Sequence, residues 1–283
     1  MSEGSLPFII IDPLIAGALA EDFGQQGDIT SNAIIPADTR AKAVMRARKP
    51  GVLAGATVAA RCFALLDPAA KVTLHAKDGD RLETGQPILD VQGNARAVLG
   101  AERTALNFAS HLSGIASETK KMADLIKHTT AKICCTRKTT PGLRALEKYA
   151  VRMGGGKNHR YRLDDGILIK DNHIAVAGGI RAAVEAALAA RGHMVRIEVE
   201  IDKPHQLKEI LDLPVDAVLL DNMNPADLCA CVALAKGKFV TEASGGITAA
   251  NIKDIAESGV DLISLGWLTH SAPALDIGLD IEI

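Results

Sequence analysis

Residues able to grip anions crowd one short stretch of this chain. The run Cys135-Thr-Arg-Lys-Thr-Thr-Pro-Gly-Leu-Arg144 continues through Gly154-Gly-Gly-Lys-Asn-His-Arg160 to Ile169-Lys-Asp-Asn-His173. Positions 137 to 170 hold nine Lys or Arg and three acids, Glu147, Asp164 and Asp165, in a chain whose net charge is −2. Arg144, Lys148 and Arg152 have the helical spacing of a solvated face. Arg137, Lys138, His159, Arg160 and Lys170 instead stand where apolar runs end or glycines begin, where a scaffold presents its chemistry. Their types suit carboxylates and phosphates. Glu200 and Asp221 suit Mg²⁺ or a sugar hydroxyl, or pair with those lysines. Ser244-Gly245-Gly246, before Ile247-Thr248, reads as a glycine turn whose backbone N–H groups cradle a phosphate. The chemistry implied is the handling of a ligand with several anionic groups and a metal, most simply a phosphorylated sugar with a carboxylated partner.

The elements that must position these groups follow from the apolar pattern. Strand-like runs fall at 132–136, 167–170, 195–200, 217–221, 239–243 and 262–266, with helical runs at 142–153, 180–191, 205–211, 225–235 and 249–257 between them. Such alternation predicts a parallel sheet covered by helices. No Gly-x-Gly-x-x-Gly accompanies it, and it starts halfway along the chain. An incomplete α/β barrel is therefore expected, closed near Leu275–Ile283. Thr136-Arg137-Lys138, Lys170, Glu200, Asp221, Ser244-Gly245 and Gly266 then share the C-terminal rim, where barrel sites lie. Random surface charge does not produce six strand ends in phase.

The first half reads as a smaller α/β domain. Helices are expected at 12–24 and 55–66, with a break at 27–31, and a strand at 41–48. A hairpin is expected from 71–75 and 87–92. Its Gly79–Gly85 segment is similar to biotinyl and lipoyl carriers but lacks a lysine to modify. Residues 101–127 suggest two helices broken near Ser113-Gly114. Taken alone, Arg103 there reads as a surface arginine.

Composition removes several classes. Aromatic residues make up 3% of the chain, too few for stacking on single-stranded nucleic acid. A nucleic-acid-binding protein using the basic stretch is the alternative from another class. No apolar run has the length of a membrane span. No Lys or Arg precedes Arg40, so no signal-peptide n-region is expected. Five cysteines without Cys-x-x-Cys spacing read as reduced cytoplasmic thiols.

The motifs resemble a known family. Thr136-Arg-Lys-Thr-Thr-Pro-Gly-Leu-Arg144, Glu147-Lys-Tyr149, Asn158-His-Arg-Tyr161 and Ile169-Lys-Asp-Asn-His173 are similar to quinolinate phosphoribosyltransferase, also called nicotinate-nucleotide pyrophosphorylase (carboxylating). Glu198-Val-Glu200, Leu220-Asp-Asn-Met223, Ala243-Ser-Gly-Gly-Ile247 and Thr269-His-Ser271 continue the likeness. Gly27-Asp-Ile-Thr30, Glu102-Arg-Thr-Ala-Leu-Asn107 and Leu112-Ser-Gly-Ile115 carry it into the first half.

The resemblance implies an open-faced α/β sandwich domain over 1–112 and an incomplete α/β barrel over 113–283, the last residues packing back on the first domain. It implies transfer of phosphoribose from phosphoribosyl pyrophosphate (PRPP) to quinolinate with loss of CO₂, in NAD biosynthesis, by a cytoplasmic homodimer. Arg103, donated across the dimer, would grip the quinolinate carboxylates with Arg137, His159 and Arg160. Lys138 and Lys170 would reach the carboxylate and pyrophosphate, and Glu200 and Asp221 the ribose and Mg²⁺. Ser244, Gly245, Gly246, Gly266 and His270 would hold the 5′-phosphate region; the set also takes in Thr136, Leu265 and Trp267. Lys138, Lys170, Glu200 and Asp221 form its catalytic core. No nucleic acid and no membrane are expected as partners. The family usually reads Gly-Ala-Leu-Thr-His-Ser where this chain has Gly266-Trp267-Leu-Thr-His-Ser271. The tryptophan is expected under the phosphate loop or at the subunit contact. Rival acceptors are those of the molybdate-cluster pyrophosphorylase-like protein and of nicotinate phosphoribosyltransferase. The intact Lys170-Asp-Asn-His173 and the number of arginines favour quinolinate.

Overall fold

A computed structural model describes residues 6–282. They divide into two units. The first holds the chain up to Lys120, then Thr139–Gly155 and the segment from Leu268 on; the second holds Lys121–Lys138 and Gly156–Trp267.

In the first unit α1 (Phe8–Phe23) starts earlier than expected and runs through Pro13. The ring removes one backbone hydrogen bond, but Ile11, Ile15 and Leu19 form a buried stripe that holds the helix. The break that follows is short, because Asp28 accepts the Ser31 N–H at 3.0 Å and caps α2 (Ile29–Ile34). Then come β1 (Arg40–Ala47), β2 (Gly51–Val52), α3 (Ala56–Leu66), β3 (Lys71–Leu74), β4 (Arg81–Leu82) and β5 (Pro87–Asn94). β3, β5 and β1 form an antiparallel sheet, and β2 pairs with β4. Arg61 of α3 ties down α1 by donating from Nε and Nη2 to the Asp12 carboxylate, both at 2.8 Å.

Two expectations fail here for physical reasons. The described residues of the segment expected to close the barrel do not do so: Ile277–Glu282 pairs antiparallel with β1, from Lys42↔Glu282 to Ala47↔Ile277. Lys42 donates to Glu282 at 2.6 Å and Arg48 to Asp280 at 2.5 Å. A segment that alternates Ile277, Leu279 and Ile281 with polar neighbours suits a sheet with one wet face, not a parallel strand buried on both. Nor is there a break at Ser113-Gly114, since α4 runs unbroken from Ala95 to Leu125. Ser113 Oγ donates to the Ala54 carbonyl at 3.1 Å and accepts the Ala54 N–H at 3.0 Å. At Gly114 a Cβ would overlap the Pro273 carbonyl and stand 3.0 Å from Ala274 Cα. The glycine permits close approach rather than a break.

α5 (Arg144–Met153) also belongs to the first unit. It corrects the solvated-face reading: Arg152 is exposed, but Lys148 and its neighbour Glu147 are both 0% exposed. Glu147 Oε2 accepts the Thr140 N–H at 3.0 Å, and its Oε1 lies 2.9 Å from His111 Nε2.

The second unit is a six-stranded parallel sheet. Its strands are β6 (Lys132–Cys134), β7 (Ile167–Ile169), β8 (Ile197–Ile201), β9 (Ala217–Asp221), β10 (Val240–Ser244) and β11 (Leu262–Ser264), in the order β6-β11-β10-β9-β8-β7. Neighbouring strands are consecutive in sequence except that β6 joins β11. That is the order of a barrel opened between its first two strands. The outer edge of β6 bonds instead to the extended backbone at Lys157, whose N–H reaches Ile133 O at 2.7 Å. Helices α7 (Ile180–Ala190), α8 (Pro204–Lys208), α9 (Pro225–Ala235) and α10 (Ile252–Glu257) follow the expected runs. α6 (Asp171–Ala177) was not expected: Lys170-Asp-Asn-His173 opens it, and His173 Nδ1 accepts the Lys170 N–H at 2.9 Å. Among the described residues no single helix is long and apolar enough to cross a membrane.

Candidate functional site

Parallel strands bring their last residues to one edge. Thr136, Arg137 and Lys138 follow β6, Lys170 follows β7, and Glu200 lies in the last turn of pleat of β8. Asp221 and Ser244 end β9 and β10 and are register partners. Leu265 and Gly266 follow β11, with the Leu265 N–H on Cys134 O at 2.9 Å. The strand-end groups therefore share the C-terminal rim of one sheet. Arg103 and His270 belong to the first unit. Arg103 is exposed on α4, and His270 Nδ1 lies 2.6 Å from Ser271 Oγ.

The rim is a set of separately tied groups. Lys170 Nζ donates to Glu200 Oε2 at 2.9 Å, so the lysine pairing weighed from sequence occurs at Glu200. Thr136 Oγ1 accepts the Lys138 N–H at 3.0 Å. The Lys138 stem lies over Gly266, where a Cβ would stand 2.8 Å from Lys138 Cδ. Leu265 is 1% exposed. Its side chain belongs to the core, so only its backbone is available to a ligand.

The loop that carries His159 and Arg160 is pinned at several points. Cys135 Sγ lies 3.2 Å from Asn158 Oδ1, and Asn158 Nδ2 donates to the Tyr161 hydroxyl at 2.9 Å. Asp165 accepts the N–H groups of Tyr161 and Arg162 at 2.6 and 3.0 Å. Arg160 Nη1 donates to Gly166 O at 2.8 Å, while its buried Nε has no hydrogen-bond partner. Burial and then the neighbouring Arg137 guanidinium hold Arg160 below the usual arginine range. Asp165 and Glu198 act the other way and favour the Arg160 cation.

The glycine turn has its own geometry. Gly245 and Gly246 have φ of 94° and 59°. Asn222, after Asp221, also has positive φ, 53°, which asparagine tolerates. Its N–H donates to Ser244 O at 2.8 Å and its Nδ2 to Asp221 Oδ2 at 2.6 Å. Asn251 Nδ2 reaches Gly246 O at 3.1 Å. The helix beyond begins only at Ile252, so backbone N–H groups here come from the loop itself. Trp267 lies under this turn, with Nε1–H on Ile247 O at 3.1 Å. This contact agrees with one of its two expected places.

Sequence reasoning missed Glu198 and Glu242. With His159 they are a trio, among the described residues, whose ligand atoms lie within 4.8 Å of one another. A signal existed: each is an acid inside an apolar strand, two residues before a rim residue. Asn222, Asp165 and Asn251 were missed because loop hydrogen bonds leave no periodic trace.

The comparisons with known proteins agree across both units. Residues 28–113 match the family model described as quinolinate phosphoribosyl transferase, N-terminal domain, and residues 115–280 its C-terminal domain. A relative in Bacillus subtilis, named probable nicotinate-nucleotide pyrophosphorylase (carboxylating), is 46% identical over 93% of this chain and 90% of its own. One in Mycobacterium leprae is 44% identical over 94% of this chain and 95% of its own. The solved nicotinate-nucleotide pyrophosphorylase of Francisella tularensis superposes with a TM-score of 0.94 at 38% identity, covering 99% of this chain and 98% of that one.

Proposed function

The chain belongs to the quinolinate phosphoribosyltransferase family, and from that premise we propose that it transfers phosphoribose from PRPP to the ring nitrogen of quinolinate. The products are nicotinate mononucleotide, pyrophosphate and CO₂, a step of NAD biosynthesis. The observation that carries this reading is that Arg137 and Lys138 after β6 and Lys170 after β7 share one C-terminal rim, with the Arg160 cation close enough to Arg137 to feel its charge. Asp165 and Glu198 offset part of the charge on Arg160, and a ligand with several anionic groups can take up the rest.

The chemistry asks the protein for position and charge. The pyridine nitrogen of quinolinate attacks the anomeric carbon as the C–O bond to pyrophosphate breaks, and pyrophosphate takes that electron pair. The ring is then a pyridinium. When the 2-carboxylate leaves as CO₂, the C–C electron pair stays on the carbon beside the positive nitrogen and is protonated there. The ring is its own electron sink, so the site must hold two anions in line and stabilise an oxocarbenium-like centre. Arg137 and Arg160 are assigned to the carboxylates and Lys138 and Lys170 to carboxylate and pyrophosphate. Lys170 leaves Glu200 to do so, which frees Glu200 to face the ribose. The Ser244–Gly246 turn is assigned to the 5′-phosphate.

Mg²⁺ fits the donors present. Glu200 and Asp221 are hard oxygen ligands on neighbouring strands, and Mg²⁺ takes one or two carboxylates beside substrate phosphates. When bound it offsets pyrophosphate charge. We further propose a cytoplasmic homodimer in which exposed Arg103 serves the partner's site. Incubation with quinolinate, PRPP and Mg²⁺, following nicotinate mononucleotide and CO₂ together, tests the reading. Neither product forming would refute it.

A further inference from the structure

Below the rim of the second unit lie two carboxylates that the reaction above does not use. Glu198 stands two residues before Glu200 on β8, and Glu242 two before Ser244 on β10. Residues two apart on a strand share a face, so each acid lies one layer deeper than its rim neighbour. Ile197, Val199 and Ile201 fill the opposite face. Glu198 is 13% exposed and Glu242 2%. Carboxylates at that depth are strongly unfavourable unless compensated.

His159 is a group that both acids approach. Its Nε2 is 2.7 Å from Glu198 Oε2 and 4.0 Å from Glu242 Oε1. Its Nδ1 accepts the Arg160 backbone N–H at 2.8 Å. An amide nitrogen keeps its hydrogen, so Nδ1 presents a lone pair. The ring hydrogen therefore sits on Nε2 and is donated to Glu198. Both ring nitrogens are engaged by protein, one toward the buried acids and one toward the next residue's main chain. The charge of Glu198 also favours the Arg160 cation.

We infer that Glu198, backed by Glu242, is a positioning residue that acts through His159 on Arg160. Glu198 fixes the ring and its tautomer. The ring fixes the Arg160 N–H. Arg160 is then held with Nη1 on Gly166 and its buried Nε left for a carboxylate. His159 serves as a strut for Arg160 rather than as a direct grip. The alternative use of the trio, as a metal centre, conflicts with this bonding. A metal on Nε2 would displace its hydrogen while Nδ1 still accepts from Arg160, leaving the ring an anion. That Arg160 meets a quinolinate carboxylate rests on the function proposed above; the His159 tautomer does not.

Two measurements on the whole protein test the inference. The first is nitrogen-15 NMR of histidine-labelled wild type without ligand, with the His159 signals assigned by their loss in His159→Asn. A fixed Nε2–H form is expected at neutral pH, and averaging between tautomers in Glu198→Gln. The second is quinolinate affinity by calorimetry, with KM for PRPP. Glu198→Gln should weaken quinolinate binding about ten-fold, leave KM for PRPP unchanged, and add nothing in a His159→Asn background. A wild-type hydrogen on Nδ1, zinc displacing the Nε2 hydrogen, or losses that add in the double variant would each overturn the inference. So would a Glu198→Gln protein with unchanged tautomer and affinity. The wild-type spectrum decides even if Glu198→Gln fails to fold. A fixed tautomer in a protein that binds no quinolinate would sink the proposed function and support the His159 assignment.

Discussion

Replacing Gly245 by alanine puts the glycine turn to a quantitative test. The residue has φ of 94°, and an added Cβ would stand 2.9 Å from the Asn222 backbone nitrogen and overlap its side-chain amide. The left-handed backbone costs an L-residue about 1–2 kcal/mol. Relief of the overlap must move Asn222, breaking the 2.6 Å bond from its Nδ2 to Asp221. A hydrogen bond to a charged group contributes about 1.5–3 kcal/mol. The sum is about 2.5–5 kcal/mol, and it falls on the strand ends assigned to phosphate and ribose. Gly246, with φ of 59°, has nothing within 4 Å of its Cβ position, so only the backbone cost applies to Gly246→Ala. Steady-state kinetics with each substrate varied, and melting curves, provide the assay. Gly245→Ala should lower kcat/KM for PRPP by roughly a hundred-fold or more, since about 1.4 kcal/mol is ten-fold. KM for quinolinate should move little, and Gly246→Ala should be much milder. Equal effects of the two substitutions, or a Gly245→Ala loss confined to quinolinate, would refute the reasoning.

Other consequences are equally open to measurement. Quinolinate should be used far better than nicotinate, because donors placed for a second carboxylate stay unpaired without it; equal kcat/KM values would overturn the carboxylate assignment. Trp267→Phe removes the donor to Ile247 O and should raise KM for PRPP several-fold, a neutral hydrogen bond being worth about 1 kcal/mol; in wild type this tryptophan's emission should report PRPP binding. The Arg61 hydrogen bonds hold the Asp12 carboxyl below its usual 3.8, so this pair stabilises the fold above that value. The melting-temperature gap between wild type and Asp12→Asn should be full above about pH 5 and close as pH falls through the folded value. Arg103→Ala and Glu200→Ala proteins should each be nearly inactive, yet co-refolding should restore about a quarter of wild-type activity if Arg103 serves the partner. Confirmed hybrid dimers without recovery would assign Arg103 to its own subunit or to no site.

The parallel sheet was legible because continuous apolar runs such as Ala217–Leu220 carry their own signature, and the rim followed from where those runs stop. What failed was decided by distant contacts. Ser113 looks like a helix breaker until Ala54 satisfies its hydroxyl. Lys148 looks solvated by spacing, yet tertiary packing buries it. The apolar pattern near Leu275–Ile283 reads as the barrel's closing segment, while the family resemblance sends the last residues back to the first domain; the alternation of 277–282 and their pairs with Lys42 and Arg48 put them on β1. Leu265 comes into the set through the family resemblance, and burial of its side chain leaves only its backbone for that part.

Charge accounting changes what the basic stretch means. Read along the chain, Arg137, Lys138, Arg160 and Lys170 form a cationic island. In the fold, strands far away in sequence bring Glu198, Glu200, Asp221 and Glu242 to the same sheet, four acids against four bases. The site is then closer to neutral than the chain order suggests, and Lys170 is held beside Glu200 at 2.9 Å. A dianion therefore does not fall into a positive well; it must replace a partner that Lys170 already has. Exchange of one carboxylate for another is nearly even in Coulomb energy, so shape and the number of satisfied donors must decide which ligand wins. Under the function proposed above, such a site discriminates by geometry: it rewards a planar dicarboxylate that reaches Arg160 and Arg137 at once, and it leaves Glu200 released at the moment the ribose arrives.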